Sequence, residues 1–514
     1  MDLLLLFIVS ICIFLGWYYT KYRETLAIVS KLPGPPRWPI FGNAFLFMGK
    51  SPAELLVKLT AVVEKYPKFT CLMLGPQPEI LIMDPKLAEQ LLNSQKLIDK
   101  AGEYDFLLDW IGTGLLTSTG NKWFQRRKII TPAFHFKILD QFVEVFDKHS
   151  NIFIQNLKKS NGKPVDVFEL ISLCALDNIC ETAMGIDIQA QIKSDSVYVK
   201  AVKEITLLLM MRIFTFYFRP NFIYNLTPYK KRHDELVKIL HDFTDSVIMN
   251  RREEVLKLEF EELEQELEQL KAEESGTKKI DHEDIGAKKK MAFLDVLLRS
   301  SFNNNPLTNM DIREEVDTFM FEGHDTTSSG LGFCLYSLAK NPDIQQKAYE
   351  EAIHILGTDS TAPVTINLLN DLNYLEMVIK ETLRLYPSVP LFGRKMKENT
   401  QIGPYLVPKG ANVGVCPYFM ARDPTLWEDP LKFNPERFSS NKQQSHPYLY
   451  TPFSAGPRNC VGQKFAMLEM KTTVSKVLRH FELSVMPGFE PVAISELILR
   501  PENGIWLQLK ERKV

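Results

Sequence analysis

The apolar residues of this chain recur mostly at the spacing of an amphipathic helix. Side chains three and four positions apart share one helical face, and long stretches of the sequence follow that period. The pattern predicts helices over residues 52–65, 121–160, 228–274, 308–340, 343–355, 366–386 and 462–480. Short strand-like runs occur at 69–73, 79–83, 402–407 and 505–509. The sequence therefore predicts a mainly helical protein with a few short strands.

Residues 1–20 are dominated by an apolar run. At ~1.5 Å per residue, a helix of this length spans most of a bilayer core. Lys21 and Arg23 follow the run, so the positive-inside rule keeps the later residues in the cytosol. A cleaved signal peptide would need a basic start and a small-x-small cleavage site, and we find neither. We therefore expect an uncleaved N-terminal transmembrane anchor over residues 1–20.

Prolines dominate the segment that follows the anchor. Residues 32–42 have the sequence LPGPPRWPIFG, and proline excludes helix while it stiffens the backbone. We expect a hinge over residues 21–42 that holds the rest of the chain at a fixed angle to the membrane. A plain linker, the alternative, would pack less firmly. Residues 43–514 contain no further boundary and are expected to form one domain.

Three other stretches have unusual composition. Residues 205–218 are apolar but short and contain Arg212, which favours a contact with the membrane surface or the roof of an apolar cavity over a second span; a core helix is the alternative. Residues 278–290 are expected to form a charged, mobile loop. The highly charged stretch 251–274 is expected to be a solvated helix with one buried face, or a coiled-coil partner. Its apolar seam consists of Leu256, Phe260, Leu263, Leu267 and Leu270.

Composition excludes some classes of protein. The chain has 514 residues, 45 % of them hydrophobic, which is enough for a sizeable core. The formal net charge of −2 gives no reason to expect a nucleic-acid partner. There are seven cysteines and no C-x-x-C pair, which argues against a disulfide framework or a zinc site and for a reducing compartment. A functional cysteine would therefore act as a single thiolate.

Cys460 lies in the segment 452–466, PFSAGPRNCVGQKFA. Glycine and proline force a compact loop before the cysteine, and a helix is predicted just after it. A sulfur at a helix N-terminus faces unpaired N–H groups and the positive end of the dipole, which favours the thiolate. Such a sulfur, shielded by Phe453, suits an electron-donating axial ligand of haem iron. A structural cysteine buried in a turn is the alternative.

The segment 314–327, EEVDTFMFEGHDTT, carries a second constellation. The Thr326 hydroxyl can bond the carbonyl of Glu322 four residues back, which loosens the helix where water or dioxygen could sit. Gly323 would let a ligand approach the backbone. Asp325 offers a proton relay. His324 is expected to pack or lie at the surface rather than bind metal.

The loop around Cys460 matches the F-x-x-G-x-R-x-C-x-G pattern of the cytochrome P450 family. The chain resembles that family from its anchor to residue 510. The resemblance includes Glu381-Thr382-Leu383-Arg384, which looks like the family's E-x-x-R helix and is expected to pair with Arg437. It implies the mainly helical α+β cytochrome P450 fold, with a small β-sheet subdomain and a long helix on the oxygen side.

The resemblance also implies roles for individual residues. Cys460 would ligate the iron of haem b, and Asp325 with Thr326 would be the acid–alcohol pair that delivers protons to dioxygen. The residues expected to bind the haem propionates are Trp123, Arg127, Arg394 and Arg458. Glu322 stands where the general pattern has a small residue, which resembles the fatty-acid ω-hydroxylase branch (the fourth family). There this glutamate can esterify a haem methyl group; a glutamate that only hydrogen-bonds nearby is the alternative.

The implied function is hydroxylation of a long apolar substrate, a fatty acid or related lipid, at or near the chain terminus. Dioxygen and NADPH electrons would be used by residues 43–514 in the cytosol, on the endoplasmic reticulum membrane. We find no flavin or nicotinamide fingerprint in the sequence, so NADPH–cytochrome P450 reductase would supply electrons, with cytochrome b5 as a helper. Docking residues for the reductase would include Arg126, Lys128 and Lys464.

Two other functions are compatible with much of this pattern. The same fold serves peroxide isomerases and dehydratases that need no reductase, and a haem carrier would perform no turnover. The pair Asp325 and Thr326 argues against both, because neither function needs proton delivery to dioxygen.

Overall fold

A computed structural model describes residues 2–193, 196–274, 292–302, 305–441 and 445–512. Helices dominate these residues, as the apolar pattern predicts. The α-helices are α1 (Asp2–Val29), α2 (Pro52–Lys65), α3 (Pro85–Leu92), α4 (Leu108–Ile111), α5 (Gly120–Ile130), α6 (Phe136–Lys158), α7 (Val167–Ile179), α8 (Ala190–Lys193), α9 (Val197–Phe214), α10 (Asn221–Tyr224), α11 (Pro228–Glu274), α12 (Phe293–Arg299), α13 (Asn309–Lys340), α14 (Pro342–Leu356), α15 (Ile366–Asp371), α16 (Asn373–Leu385), α17 (Pro417–Met420) and α18 (Gln463–His480).

The strands are short and form several small sheets. They are β1 (Phe69–Leu74), β2 (Gln77–Ile82), β3 (Val165–Asp166), β4 (Ser301–Phe302), β5 (Asn305–Pro306), β6 (Phe392–Lys395), β7 (Thr400–Ile402), β8 (Tyr405–Val407), β9 (Asn412–Val415), β10 (Phe481–Val485), β11 (Ala493–Ser495), β12 (Leu499–Pro501) and β13 (Trp506–Glu511). The largest sheet has the order β1-β2-β9-β6, with β2 and β9 parallel. A second sheet has the order β10-β13-β3, and β4-β5, β7-β8 and β11-β12 form pairs.

Helix α13 runs through the centre of the helical part. Its N-terminus has a capping box in which the Thr308 hydroxyl accepts the Asp311 N–H and the Asp311 carboxylate accepts the Thr308 N–H. Most of its residues are buried, and it packs most extensively against α7 and α18. A helix buried on every side belongs to the core of a large domain. A separate apolar cluster covers the β1-β2-β9-β6 sheet, so the site described below lies between a helical core and a sheet core.

The N-terminal helix α1 extends beyond the predicted end of the anchor, through Val29. Among the described residues it is the one helix long and apolar enough to cross a membrane. The proline segment that follows is firmly packed. The Arg37 guanidinium donates to the carbonyls of Val29, Leu32 and Cys71 at 3.1 to 3.2 Å. This proline segment is therefore attached to β1 and is not a loose linker.

Most predicted elements are present, with two interruptions. The predicted helix 121–160 is broken at Thr131–Phe134, a short turn in which Pro132 has no N–H to continue the helical hydrogen bonds, and His135 is extended before α6 begins. The predicted helix 366–386 divides into α15 and α16. The predicted strand 402–407 is part of the β7-β8 hairpin.

The predicted seam of α11 is wrong where it can be checked. Leu256 and Phe260 are 59 % and 64 % exposed, whereas Val255 is buried. The side chains of the other three seam residues, and residues 278–290, lie outside the part that the structure describes. Residues 205–218 form the end of α9 and the short turn Phe216–Phe218. Arg212 is buried there between the rings of Phe106 and Tyr224, at 4.5 and 4.1 Å.

Candidate active site

The Cys460 loop is as compact as its glycine and proline content predicts. Gly456 has a φ of +69°, and a side chain there would collide with the carbonyl oxygen of Leu92, so glycine is required. The Cys460 N–H donates to the carbonyl of Phe453 at 2.9 Å, which closes the loop. Helix α18 begins shortly afterwards at Gln463. This geometry points Cys460 into an interior cavity of about 210 Å³.

The cavity is lined mainly by apolar side chains, with α13 on one wall and the Cys460 loop on another. Phe453 also lines the cavity. Glu322, Gly323 and Thr326 of α13 line the same cavity. The structure therefore brings the two constellations of the sequence, far apart in the chain, to one internal space.

The predicted bond within α13 is present. The Thr326 hydroxyl donates to the Glu322 carbonyl at 2.6 Å, and the Ser388 hydroxyl donates to the Thr326 carbonyl at 2.7 Å. The second bond ties this turn of the helix to the segment before β6. Gly323 lines the cavity and has a second role that was not predicted, because a side chain there would meet Cδ1 of Ile179 at 2.5 Å. Its lack of a side chain lets α7 pack closely on α13.

Asp325 does not line the cavity with Thr326. Its side chain is buried and pairs with Arg500 of β12, with Oδ1 and Nη2 2.5 Å apart. Adjacent helical residues point about 100° apart, which places the carboxylate beside the hydroxyl in sequence but on another face. His324 is buried near the ring of Tyr198, and burial lowers the pKa of its imidazole to about 4. It packs, as predicted.

The predicted propionate-binding residues lie around the cavity with one exception. Trp123, Arg127 and Arg458 line it. Arg127 donates to the carbonyl and side-chain oxygens of Asn459 at 2.7 and 2.8 Å, and the Arg458 guanidinium lies 4.8 Å from the Trp123 ring. Arg394 of β6 is buried and donates to the Gly393 carbonyl at 3.2 Å, but it is not among the lining residues.

Lys100 and Tyr104 also line the cavity, and the sequence reasoning missed both. Lys100 pairs with Arg394 through an isolated backbone bridge, and its ammonium lies 4.6 Å from the Tyr104 ring. They precede α5 in a turn-rich segment without a recognisable motif. The local sequence gives no sign that Lys100 is buried close to Arg394 and Arg458.

Positive charge is concentrated on this side of the cavity. Burial, followed by the charges of Arg394 and Arg458, lowers the pKa of Lys100 well below its usual value. The negative charge of Glu322 acts in the opposite direction and raises the pKa of Lys100. Burial raises the pKa of the Glu322 carboxyl itself, and the charges of Lys100, Arg458 and Arg127 oppose that rise. A ligand with two negative charges would relieve the repulsion between these cations.

The thiol of Cys460 is not ionised by its surroundings alone. Burial, followed by the Glu322 charge, raises its pKa to about 12, and the Gly462 N–H with the Arg127 and Lys100 charges oppose this rise. The helix terminus is therefore too weak to favour the thiolate without a bound cation. A flat, apolar, dianionic group with a central metal matches the cavity, the cations and the single sulfur, so the residues present fit haem.

A buried ion network lies close to Tyr450, which precedes the Cys460 loop. Arg384 makes a bidentate pair with Glu381 at 2.7 and 2.9 Å, and Arg437 donates to Glu381 at 3.3 Å. The Asn434 N–H also donates to Glu381 at 2.8 Å. The predicted link between the E-x-x-R helix and the Pro435–Phe438 segment is thus confirmed.

A second, mostly apolar cavity of about 230 Å³ adjoins the first. Both cavities are lined by Tyr104, Leu116, Glu322, Thr326, Val389 and Phe392. Met210, Ile213 and Phe214 of α9 close part of the second cavity, which supports the interpretation of residues 205–218 as a cavity roof. Together the two cavities provide space for an elongated apolar ligand next to Thr326.

The helical fold and the single cysteine in a cation-rimmed apolar cavity fit the class of haem-thiolate proteins. Residues 32–509 match the family model for cytochrome P450. Cytochrome P450 4d1 of Drosophila melanogaster is 45 % identical over 505 residues, which cover 96 % of each chain. Cytochrome P450 4c21 of Blattella germanica is 39 % identical over 517 residues, covering 100 % of both chains. The chain belongs to the cytochrome P450 family.

Membership confirms several predictions. The protein is a monooxygenase that uses dioxygen and electrons from NADPH, and its cofactor contains haem iron. It requires a redox partner and acts on a lipophilic substrate. Its similar relatives belong to the fourth P450 family, as the glutamate at position 322 indicated. The apolar helix α1 is suited to a membrane anchor.

Proposed function

We propose that this protein hydroxylates a fatty acid or related lipid at or near the end of its chain. The observation that carries this proposal is the position of Thr326 and Glu322, which line both the Cys460 cavity and the adjoining apolar cavity. A long chain that extends from the second cavity into the first would pass these two side chains, which are among the six residues that line both cavities. Burial of apolar surface, at about 25 cal/mol per Å², favours such a ligand.

Substrate-induced difference spectra across a panel of lipids, followed by product analysis with NADPH and reductase, test this function. We expect spectral shifts and terminal or near-terminal alcohols with long-chain lipids. Oxidation only of compact, ring-containing compounds would contradict the proposal. NADPH-independent isomerisation or dehydration of lipid peroxides would favour the other reaction that this fold supports.

We assign roles to the site residues as follows. Cys460 would hold the iron, and Trp123, Arg127, Arg394 and Arg458 would bind the propionates, with Lys100 close to them. The haem, when bound, supplies the oxidising power for insertion of an oxygen atom from dioxygen. The protein's own residues hold the substrate, exclude water and deliver protons. Arg127 and Arg458 already have backbone partners that fix their orientation, which lowers the entropic cost of binding an anion.

Thr326 is proposed to pass protons into the cavity. Its hydroxyl reaches the cavity and is held by the Glu322 carbonyl, so it can rotate between that bond and a partner inside the cavity. Asp325 would deliver protons to this turn of α13 from the side of Arg500. Its side chain is too far round the helix to act on the cavity directly, so water or Thr326 must complete the path.

Thr326→Ala should uncouple NADPH consumption from hydroxylation. Without the hydroxyl, product formation should fall by roughly a hundredfold, the lower end of general acid–base contributions, and hydrogen peroxide should replace the product. The measurement compares NADPH consumed with alcohol and peroxide formed. Thr326→Ser should remain coupled. Thr318→Ala is the control, because Thr318 makes the same bond to the carbonyl of Glu314 outside the cavity. Unchanged coupling in Thr326→Ala would limit Thr326 to packing.

We further propose that Glu322 forms an ester with the haem. A carboxylate oxygen of Glu322 would bond to a methyl carbon, which would lose one proton and two electrons. Hydrogen peroxide from uncoupled turnover would accept the two electrons, together with that proton and one from solvent, and be reduced to two water molecules. The position of Glu322 supports this proposal, because among the described residues that line the first cavity it is the one with a carboxylate. A fixed group would also narrow the space around the terminal methyl of a substrate.

After acid denaturation and organic extraction, the Glu322→Ala variant should release all of its haem from the polypeptide. In the wild type after turnover, a fraction of the haem should remain attached through acid denaturation and organic extraction, and mass spectrometry should locate it on Glu322. Glu322→Ala should also shift hydroxylation inward along the chain. Glu322→Gln, which keeps the size of the side chain, should likewise lose the attachment. Complete release of haem from wild-type enzyme after repeated turnover would refute the ester.

The membrane arrangement is also a proposal. Residues 1–20 would anchor the chain in the endoplasmic reticulum membrane, residues 21–42 would set its angle, and residues 43–514 would form the cytosolic catalytic domain. Exposed apolar side chains near α9, such as Tyr217, Phe222 and Leu226, support an additional contact with the membrane surface.

NADPH–cytochrome P450 reductase would supply the electrons, with cytochrome b5 as an accessory donor. Lys128 and Lys464 are exposed and can contact an acidic partner. The prediction that Arg126 is the third docking residue is wrong, because Arg126 is buried and pairs with Asp311 and Glu315 of α13. Its charge stabilises the fold from inside and is not available to a partner.

A further inference from the structure

A polar cluster interrupts the apolar wall of the second cavity. It consists of Arg219, Glu79, Glu103 and Asn412, all of which line that cavity, and we call it the Arg219 cluster. Arg219 donates to Glu79 at 2.8 Å and to Glu103 at 2.9 Å. The Asn412 amide donates to Glu103 at 2.8 Å and to Glu79 at 3.3 Å. The mechanism above uses none of these residues.

The cluster is held by regular structure. Glu79 of β2 lies opposite Asn412 of β9 in the parallel pair. The Asn412 side-chain oxygen accepts the Gly102 N–H at 2.8 Å, which positions the turn that carries Glu103. Arg219 also donates through Nε to the Ile213 carbonyl at 3.0 Å, at the end of the roof helix α9. A site built on strands and fixed by hydrogen bonds is preorganised for a ligand.

The cluster is rich in hydrogen-bond acceptors and has little free positive charge. The three guanidinium nitrogens of Arg219 each donate a hydrogen bond. Within the cluster, Oε1 of each glutamate accepts the hydrogen bonds from Arg219 and Asn412. Within the described residues, no N–H group donates to the Oε2 atoms of Glu79 and Glu103. Burial, followed by the charge of Glu103, raises the pKa of Glu79 well above its usual value. A protonated Glu79 would give the cluster a donor as well as free acceptors.

We propose that the Arg219 cluster binds the polar head of an amphipathic substrate and selects a neutral hydrogen-bonding head, such as an alcohol or amide, over a free carboxylate. A carboxylate would be a third acidic group beside one guanidinium that is already paired, so it would have to displace a glutamate. A hydroxyl or amide can donate to an acceptor without displacing anything. The continuous lining places its apolar tail towards Thr326. This inference rests on the proposed lipid hydroxylation and narrows its substrate class.

Spectral binding titrations of the full-length haem-loaded enzyme test the inference with a fatty alcohol, amide and acid of equal chain length. We expect the alcohol and amide to bind about tenfold more tightly than the acid, the effect of one hydrogen bond to a charged group. Glu103→Gln removes a charge and leaves Arg219 less fully paired. It should tighten acid binding by about tenfold and change alcohol binding by less than about threefold.

Glu204→Gln is the matched control. Glu204, in α9, also pairs with an arginine, Arg232, through two hydrogen bonds, but this pair lies on the exposed surface, so the change should leave the acid-to-alcohol ratio unaltered. Glu79→Gln is a second test if Glu103→Gln does not fold. An acid that binds wild-type enzyme as tightly as the alcohol overturns the inference, as does an unchanged ratio in the folded cluster variant. If the enzyme prefers the acid, the selectivity of the Arg219 cluster is refuted but the proposed lipid hydroxylation is not. If no lipid binds, both the selectivity and the proposed hydroxylation are refuted.

Discussion

Cys460→His should abolish both hydroxylation and the long-wavelength Soret band of the reduced carbon monoxide complex. The loop brings one sulfur to the cavity wall, and the described residues contain no cluster of three His, Cys, Asp or Glu side chains suited to metal binding. Thiolate ligation gives that band its position, and electron donation from sulfur favours cleavage of the O–O bond. Imidazole is neutral and donates less strongly, so a spectrum like that of a histidine-ligated globin should replace it.

Cys334→Ala is the appropriate control for this experiment. Cys334 is a fully buried cysteine of α13 that does not line the first cavity, so its removal tests for a general effect of losing a thiol. The control should keep the long-wavelength band. A wild-type protein that lacks the band, or a Cys460→His protein that retains it, would exclude Cys460 as the axial ligand.

The parts of the site that sequence predicts well depend on local geometry. The turn before Cys460 is encoded by Gly456 and Pro457, and the bond from Thr326 to Glu322 follows from the pitch of one helix. The pairing of Glu381 with Arg384 has the same origin, because residues three apart share a helical face. Such features need no knowledge of distant contacts.

The failures arise where the answer depends on tertiary packing. Arg126 lies in a polar, basic stretch of sequence that is typical of a protein surface. In the folded chain α5 packs against α12, and Arg126 is buried where it pairs with α13. Lys100 enters the cavity from a segment that has no motif. The orientation of Asp325 could have been anticipated, since neighbouring helical residues diverge by about 100°. The members of the Arg219 cluster are spread along the chain from Glu79 to Asn412. No local pattern in the sequence therefore indicates that they meet.

Glu381→Gln should destabilise the folded protein by about 3 to 5 kcal/mol, the usual cost of breaking a buried ion pair from one side. Glu381 is fully buried and accepts hydrogen bonds from two arginines and a backbone N–H. An amide leaves both guanidinium groups without a charged partner in the interior. The same change should loosen the segment that leads towards the Cys460 loop and reduce haem content. Denaturant unfolding and the carbon monoxide difference spectrum measure the two effects.

The control for Glu381→Gln lies in the segment it pairs with. Glu436 is next to Arg437 and makes an ion pair with Lys347, but both side chains are about half exposed, at 44 % and 56 %. Exposed pairs contribute at most about 1 kcal/mol, so Glu436→Gln should have little effect on stability or haem content. The same chemical change at a buried and at an exposed glutamate thus separates the effect of burial from the effect of charge. If both variants unfold within about 1 kcal/mol of the wild type, water reaches Glu381, and the network is not a rigid support for the Cys460 loop.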